Sequence, residues 1–94
     1  MTPPLDASQK EELRHAVRAV IVGRHPNAHP ARALTNAVAL DVAFRITPDD
    51  TTAALEFLRS KGEVEIVESD LGATRFWRAT AAGILAQERA ESSR

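Results

Sequence analysis

The chain has 94 residues, 12 of them basic and 13 acidic, for a formal net charge of -1 and a sequence pI near 6.3. That length suits one domain with a modest core. Without cysteine there is no disulfide framework, thiolate zinc site or cysteine nucleophile. The chain also lacks an apolar run of the roughly 18 residues needed to span a bilayer, and its N-terminus shows no basic-then-apolar leader pattern. A soluble, cytoplasmic protein is expected. Domains dedicated to nucleic acid are usually basic, with a pI above about 9, so any attraction for DNA must come from a local patch.

Residues 1–5, with Pro3 and Pro4, read as a mobile tail, and the domain core is expected over 8–89. Ser8-Gln9-Lys10-Glu11 fits a capping box. Leu13, Ala16, Val17, Val20 and Ile21 then repeat at helical spacing and lay one apolar stripe. Arg14 and Arg18 fall off that stripe and read as a solvated face. Gly23 stands where glycine stops a helix. Residues 24–30, Arg24-His25-Pro26-Asn27-Ala28-His29-Pro30, read as an irregular loop, with Pro30 suited to the first turn of the next helix. Residues 31–40 are rich in alanine and predict a second helix, with Leu34, Ala37 and Val38 inward. A connector over 41–46 buries part of Val42, Phe44 and Ile46.

Thr47-Pro48-Asp49-Asp50 is a strong helix start. Thr47 caps, Pro48 sets the first helical φ, and two carboxylates sit at the positive end of the helix dipole. Thr51, Ala54, Leu55 and Leu58 form the buried stripe, and Lys61-Gly62 closes the helix. Val64, Ile66, Trp77 and Ala79 read as inward positions of two paired strands, joined through 70–74. Thr80 caps a final helix over 81–90, with Ile84 and Leu85 inward, and 91–94 are expected to fray. No internal repeat or second domain is evident.

Two segments carry a resemblance. Leu58-Arg59-Ser60-Lys61-Gly62-Glu63-Val64 looks like a winged-helix recognition helix running into its wing. Arg75-Phe76-Trp77-Arg78-Ala79-Thr80-Ala81-Ala82-Gly83 resembles the return strand and last-helix cap of MarR-like and PadR-like regulators. Their pattern is leucine, threonine, two polar residues and glycine; here Ala79 replaces the leucine and Ala81-Ala82 the polar pair. The chain is also similar to small winged-helix proteins encoded in prophages. The resemblance spans about 8–89 and rests on packing motifs, which specify fold better than function. It implies a mostly helical α+β winged helix-turn-helix with a three-helix core, a two-stranded wing and a C-terminal helix. It further implies a small transcriptional regulator reading double-stranded DNA, with the 47–60 helix in the major groove and the 71–74 wing on the backbone. Pairing of the first and last helices, with one or both forming a homodimer interface, is implied by the same likeness.

The residues depart from that role in one respect. With Thr51, Ala54, Leu55 and Leu58 inward, the helix shows Asp49, Asp50, Thr52, Ala53, Glu56 and Phe57. None is an Arg, Lys, Asn or Gln, the side chains that most often read purine edges, and three carboxylates oppose phosphate. The DNA-contact candidates are therefore Thr51 and Thr52 on the helix and Arg75, Arg78 and Arg45, with Arg32, as a basic rim near the wing. The competing reading makes the winged helix a protein-interaction module, docking through Asp49, Asp50, Ala53, Glu56, Phe57 and Phe76. Each signal has a plainer reading: Asp49 and Asp50 as helix caps, the arginines paired with Glu63, Glu65 and Glu68, and the two phenylalanines buried by a one-residue shift of register. His25 and His29 flank prolines without a third ligand, and His15 lies apart, so no metal is expected. No phosphate loop, nucleophile elbow or paired carboxylates point to catalysis or to a cofactor.

Overall fold

The computed structural model describes residues 4–68, 72 and 74–93. Along the chain these form α1 (Ala7–Gly23), β1 (His29–Pro30), α2 (Ala31–Val38), α3 (Pro48–Ser60), β2 (Val64–Val67), β3 (Phe76–Ala79) and α4 (Ala81–Ser92). Three helices pack on one face of a small antiparallel sheet, and α4 lies against α1. The core is the convergence of the expected stripes. Leu13, Val17 and Ile21 meet Leu34 and Val38, then Ala54, Leu55 and Leu58, over Val64, Trp77 and Ala79 of the sheet. Val42, Phe44 and Ile46 close the edge, as the connector pattern anticipates.

The start of α1 differs from expectation. The capping box is Asp6–Gln9, not Ser8–Glu11: the Gln9 N–H donates to Asp6 Oδ1 at 2.8 Å and the Asp6 N–H to Gln9 Oε1 at 3.1 Å. Aspartate caps as well as serine, and Leu5 just before it packs against the core instead of trailing in a tail. Gly23 is not a left-handed stop. It is the last helical residue, and the cap is Arg24 in right-handed conformation, its N–H shared between Val20 and Ile21 carbonyls.

The stretch 24–30 contains a strand. His29 and Pro30 pair with Trp77 and Phe76, so the sheet has three strands in the order β1-β3-β2 and not two. A proline is tolerated there because β1 is an edge strand. Pro30 serves as the non-helical cap residue of α2 and lies outside its first turn. The helix itself is two residues shorter than expected and leaves Leu40 88% exposed beyond its end.

The close of α3 follows from its sequence. Gly62 takes φ +75, its N–H bonds to the Arg59 carbonyl, and the Glu63 N–H bonds to the Leu58 carbonyl. That is a Schellman closure, which satisfies two otherwise orphaned carbonyls. α4 then abuts the same corner. Its cap Thr80 accepts from the Gly83 N–H, donates its hydroxyl to the Gly62 carbonyl, and donates its N–H to the Glu63 carbonyl. A Cβ on Gly83 would stand 2.1 Å from the Glu63 oxygen, so this position of the motif requires glycine for contact and not for conformation. Leu85, expected inward, is 51% exposed; Gly83 and Ile84 make the packed side of α4 instead.

Arg18 is the largest departure. It is buried, with Nη1 donating to Glu63 Oε1 at 3.1 Å and Nε to Gln87 Oε1 at 3.1 Å. One guanidinium therefore ties α1 to the α3–β2 corner and to α4. Arg14 is not free either: its guanidinium lies 3.7 Å from the Phe57 ring centroid, a cation–π contact.

Candidate nucleic-acid interface

The end of the molecule where α3 begins holds the candidate surface. Thr47 caps α3 as expected, its Oγ1 accepting from the Asp50 N–H at 3.2 Å. Asp50 reciprocates, its Oδ2 accepting from the Thr47 N–H at 2.9 Å. Asp50 thus spends its carboxylate on the helix end. Asp49 is exposed beside it.

Thr51 is a correction. It is 0% exposed, and its hydroxyl lies 2.7 Å from that of Thr35, fastening α3 to α2. It cannot reach a ligand; the inward stripe that includes Ala54 and Leu55 claims it. Thr52, one residue on, is half-buried and opens on a groove of about 610 Å³. Pro30 and Arg32 at the start of α2 form one side, and Thr74 and Arg75 leading into β3 form the other.

The two wing arginines part company. Arg75 reaches across to α3, its Nη1 3.4 Å from Glu56 Oε1. Arg78 turns the other way, because side chains alternate along a strand and Trp77 and Ala79 take the inner face. Its Nε donates to Glu65 Oε1 at 2.9 Å, directly across the hairpin. Arg78 therefore does not join Arg75 at the groove. Glu65 is the pairing partner that the plain reading named, whereas Glu63 is committed to Arg18. Arg45 is exposed on the connector before α3, and Arg32 is exposed on α2. Among the described residues neither makes an ion pair. Residues 69–71 and 73, which carry most of the anticipated wing tip, lie outside the described residues.

Arg59 was not among the sequence candidates. It follows Glu56 by three positions and approaches its second oxygen, with Nη1 3.6 Å from Oε2. The i, i+3 spacing was visible in the sequence. What it left hidden was that Thr52, Glu56 and Arg59 share the side facing Arg75. Three guanidinium groups, of Arg32, Arg59 and Arg75, thus stand near this face against the carboxylates of Asp49 and Glu56. Its local charge is less hostile to phosphate than the bare helix sequence suggested.

The aromatic residues of the competing reading do not converge. Phe57 is 39% exposed on the side of α3 turned toward α1, between Arg14 and Lys61. Ala53 shares that side, near Leu5, Lys10 and Arg14. Phe76 is half-buried on the outer sheet face, opposite Val67 and Pro30. An acidic, aromatic patch formed by Asp49, Asp50, Glu56, Phe57 and Phe76 together is therefore absent. Among the described residues no group of three or more His, Asp or Glu side chains is arranged to hold a metal ion. Among the described residues no helix is long and apolar enough to cross a membrane.

No protein-family model matches the chain, and no curated protein matches it. Solved structures do. A PadR-like transcription factor from Bacteroides fragilis superposes with a TM-score of 0.70 at 18% identity, over 92% of this chain and 82% of that one. A transcriptional regulator from Clostridium thermocellum gives 0.72 at 10% identity, over 96% and 87%. For a MarR family regulator from Neisseria meningitidis the values are 0.64 at 14% identity, over 92% of this chain but only 58% of the longer regulator. At such identities the likeness concerns the backbone, and with the element order, the α2–α3 pair and the hairpin it gives the plain result: the chain has the winged helix-turn-helix fold.

Proposed function

We propose that the chain is a winged-helix DNA-binding protein acting as a transcriptional regulator in the cytoplasm. The observation that carries the reading is the groove itself. It lies between the N-terminal ends of α2 and α3 and the entry to β3, lined by Thr52, Arg32 and Arg75. The named function of the structural neighbours, transcription regulation, supports the same reading.

In this reading α3 enters the major groove, and Arg75, Arg32 and Arg45 contact phosphates on either side. Thr52 is the neutral base contact, its methyl suited to thymine and its hydroxyl to a polar base edge. One module offers few contacts, so specific binding calls for a homodimer and a two-fold site. Regulation then follows from occupancy, which excludes other proteins from the same stretch of DNA.

The test is an amide NMR titration with duplex DNA at low and then moderate salt, repeated on Arg75→Ala and Arg78→Ala. Salt-sensitive shifts should gather at residues 31–33, 49–53 and 74–76. Arg75→Ala should flatten the dependence of log affinity on log salt by about 0.9, the loss of one phosphate contact. Arg78→Ala should leave it unchanged. Silence at low salt, where electrostatic binding is strongest, would sink the proposal.

A further inference from the structure

We infer that Glu56 is the specificity-determining residue of this groove, selecting a duplex that presents the N4 amino group of cytosine to its carboxylate. The inference rests on the DNA-binding reading above and goes beyond it to a base.

Glu56 stands one helical turn after Thr52, on the side of α3 that faces the entry to β3. Its two oxygens point to different partners: Oε1 is 3.4 Å from Arg75 Nη1, and Oε2 is 3.6 Å from Arg59 Nη1. Both separations exceed the 2.7–2.9 Å of a tight charge-assisted bond. The side chain retains 42% of its exposure, and a carboxylate has about four acceptor sites, so capacity remains on both oxygens.

Two consequences follow. In the free protein Glu56 sets a negative charge beside the Arg59 and Arg75 guanidinium groups, which opposes phosphate and keeps binding to arbitrary DNA weak. Within a major groove, an ionised carboxylate can only accept. Guanine presents two acceptors there, and thymine an acceptor and a methyl group. Adenine places its amino donor beside the N7 acceptor, whereas cytosine presents a donor alone. Cytosine is the base edge that suits this group. Asp49, a turn and more away toward the N-terminus, has no arginine within ion-pair distance among the described residues, so it exerts no comparable hold.

The conservative change Glu56→Gln keeps the shape, removes the charge and sets a donor amino group beside an acceptor carbonyl, the combination that matches adenine N6 and N7. The experiment selects binding sites from randomised duplexes with the full chain and with Glu56→Gln. Salt titrations on one fixed duplex of unselected sequence accompany it, with thermal unfolding to show that both proteins are folded. The expected result is one position held as cytosine by the parent chain and moved to adenine by the variant, each disfavouring the other's base by roughly tenfold. On the unselected duplex the variant should bind more tightly, because a carboxylate no longer opposes the phosphates beside Arg75. Identical base preference in both proteins overturns the role of Glu56 while leaving the DNA-binding reading intact. Binding without base preference in the parent chain overturns it equally. Failure of both proteins to bind any duplex removes the DNA-binding reading, and this inference with it.

Discussion

Two ion networks in this molecule use the same chemistry in opposite surroundings. Arg18, Glu63 and Gln87 join three elements at the closed corner, and the Arg18 and Glu63 side chains are each only 10% exposed. Arg59, Glu56 and Arg75 join α3 to the entry of β3 at the open end, with side-chain exposures of 52%, 42% and 63%. Removing charge from water is costly, and a buried pair must satisfy its donors and acceptors internally. The first network does so and is committed to the fold. The second stays hydrated, contributes little to stability, and remains free to exchange partners. Burial, and not residue type, separates the structural arginine from the solvated one.

The sharpest way to break this contrast is to remove one carboxylate from each network. Glu63→Ala leaves the Arg18 guanidinium buried without its counter-ion and should cost about 3–5 kcal/mol in urea unfolding. The loss should persist near 1 M salt, where exposed pairs are screened over about 3 Å. A loss within experimental error would show that Arg18 reaches water by another path. Next in size is Gly83→Ala, which drives a methyl into the Glu63 carbonyl. Overpacking of that kind should lower stability by about 1–3 kcal/mol, and α4 amides should lose hydrogen-exchange protection first.

A smaller effect distinguishes the neighbouring threonines. Thr51→Val removes a hydroxyl from the buried pair with Thr35 and should cost about 1 kcal/mol without changing DNA affinity. Thr52→Val should do the reverse, altering affinity with stability nearly unchanged. Equal effects on binding from both would mean that the groove has been assigned to the wrong side of α3. Among the carboxylates, only a small change in stability is expected of Glu56→Ala, under about 1 kcal/mol and vanishing in high salt. Its contrast with Glu63→Ala is the cleanest measure of how differently the two carboxylates are held.

Much of this architecture was legible because local rules point the same way as the tertiary ones. Thr47-Pro48-Asp49-Asp50 carries a cap, a fixed φ and favourable dipole charge within four residues, and α3 begins there. Gly62 follows the last apolar position of that helix, and the chain turns with positive φ. The alternation of Trp77 and Ala79 predicts their burial because strand period is independent of the partner. The failures share another character. Arg18 reads as solvated until Glu63 and Gln87, distant in sequence, meet it. His29 and Pro30 carry no strand pattern of their own and pair only because β3 passes beside them. Arg75 and Arg78 look alike along the chain, yet one faces α3 and the other faces away.

By itself, then, the sequence determined the helices, the caps that open α3 and α4, most of the inward stripes and the order that makes a winged helix, since each depends on spacing within a few residues. Only the tertiary structure decided which charges are buried, which threonine is accessible and which arginine meets Glu56. Those outcomes depend on what arrives from elsewhere in the chain to exclude water or supply a partner, and spacing along one element contains no record of that.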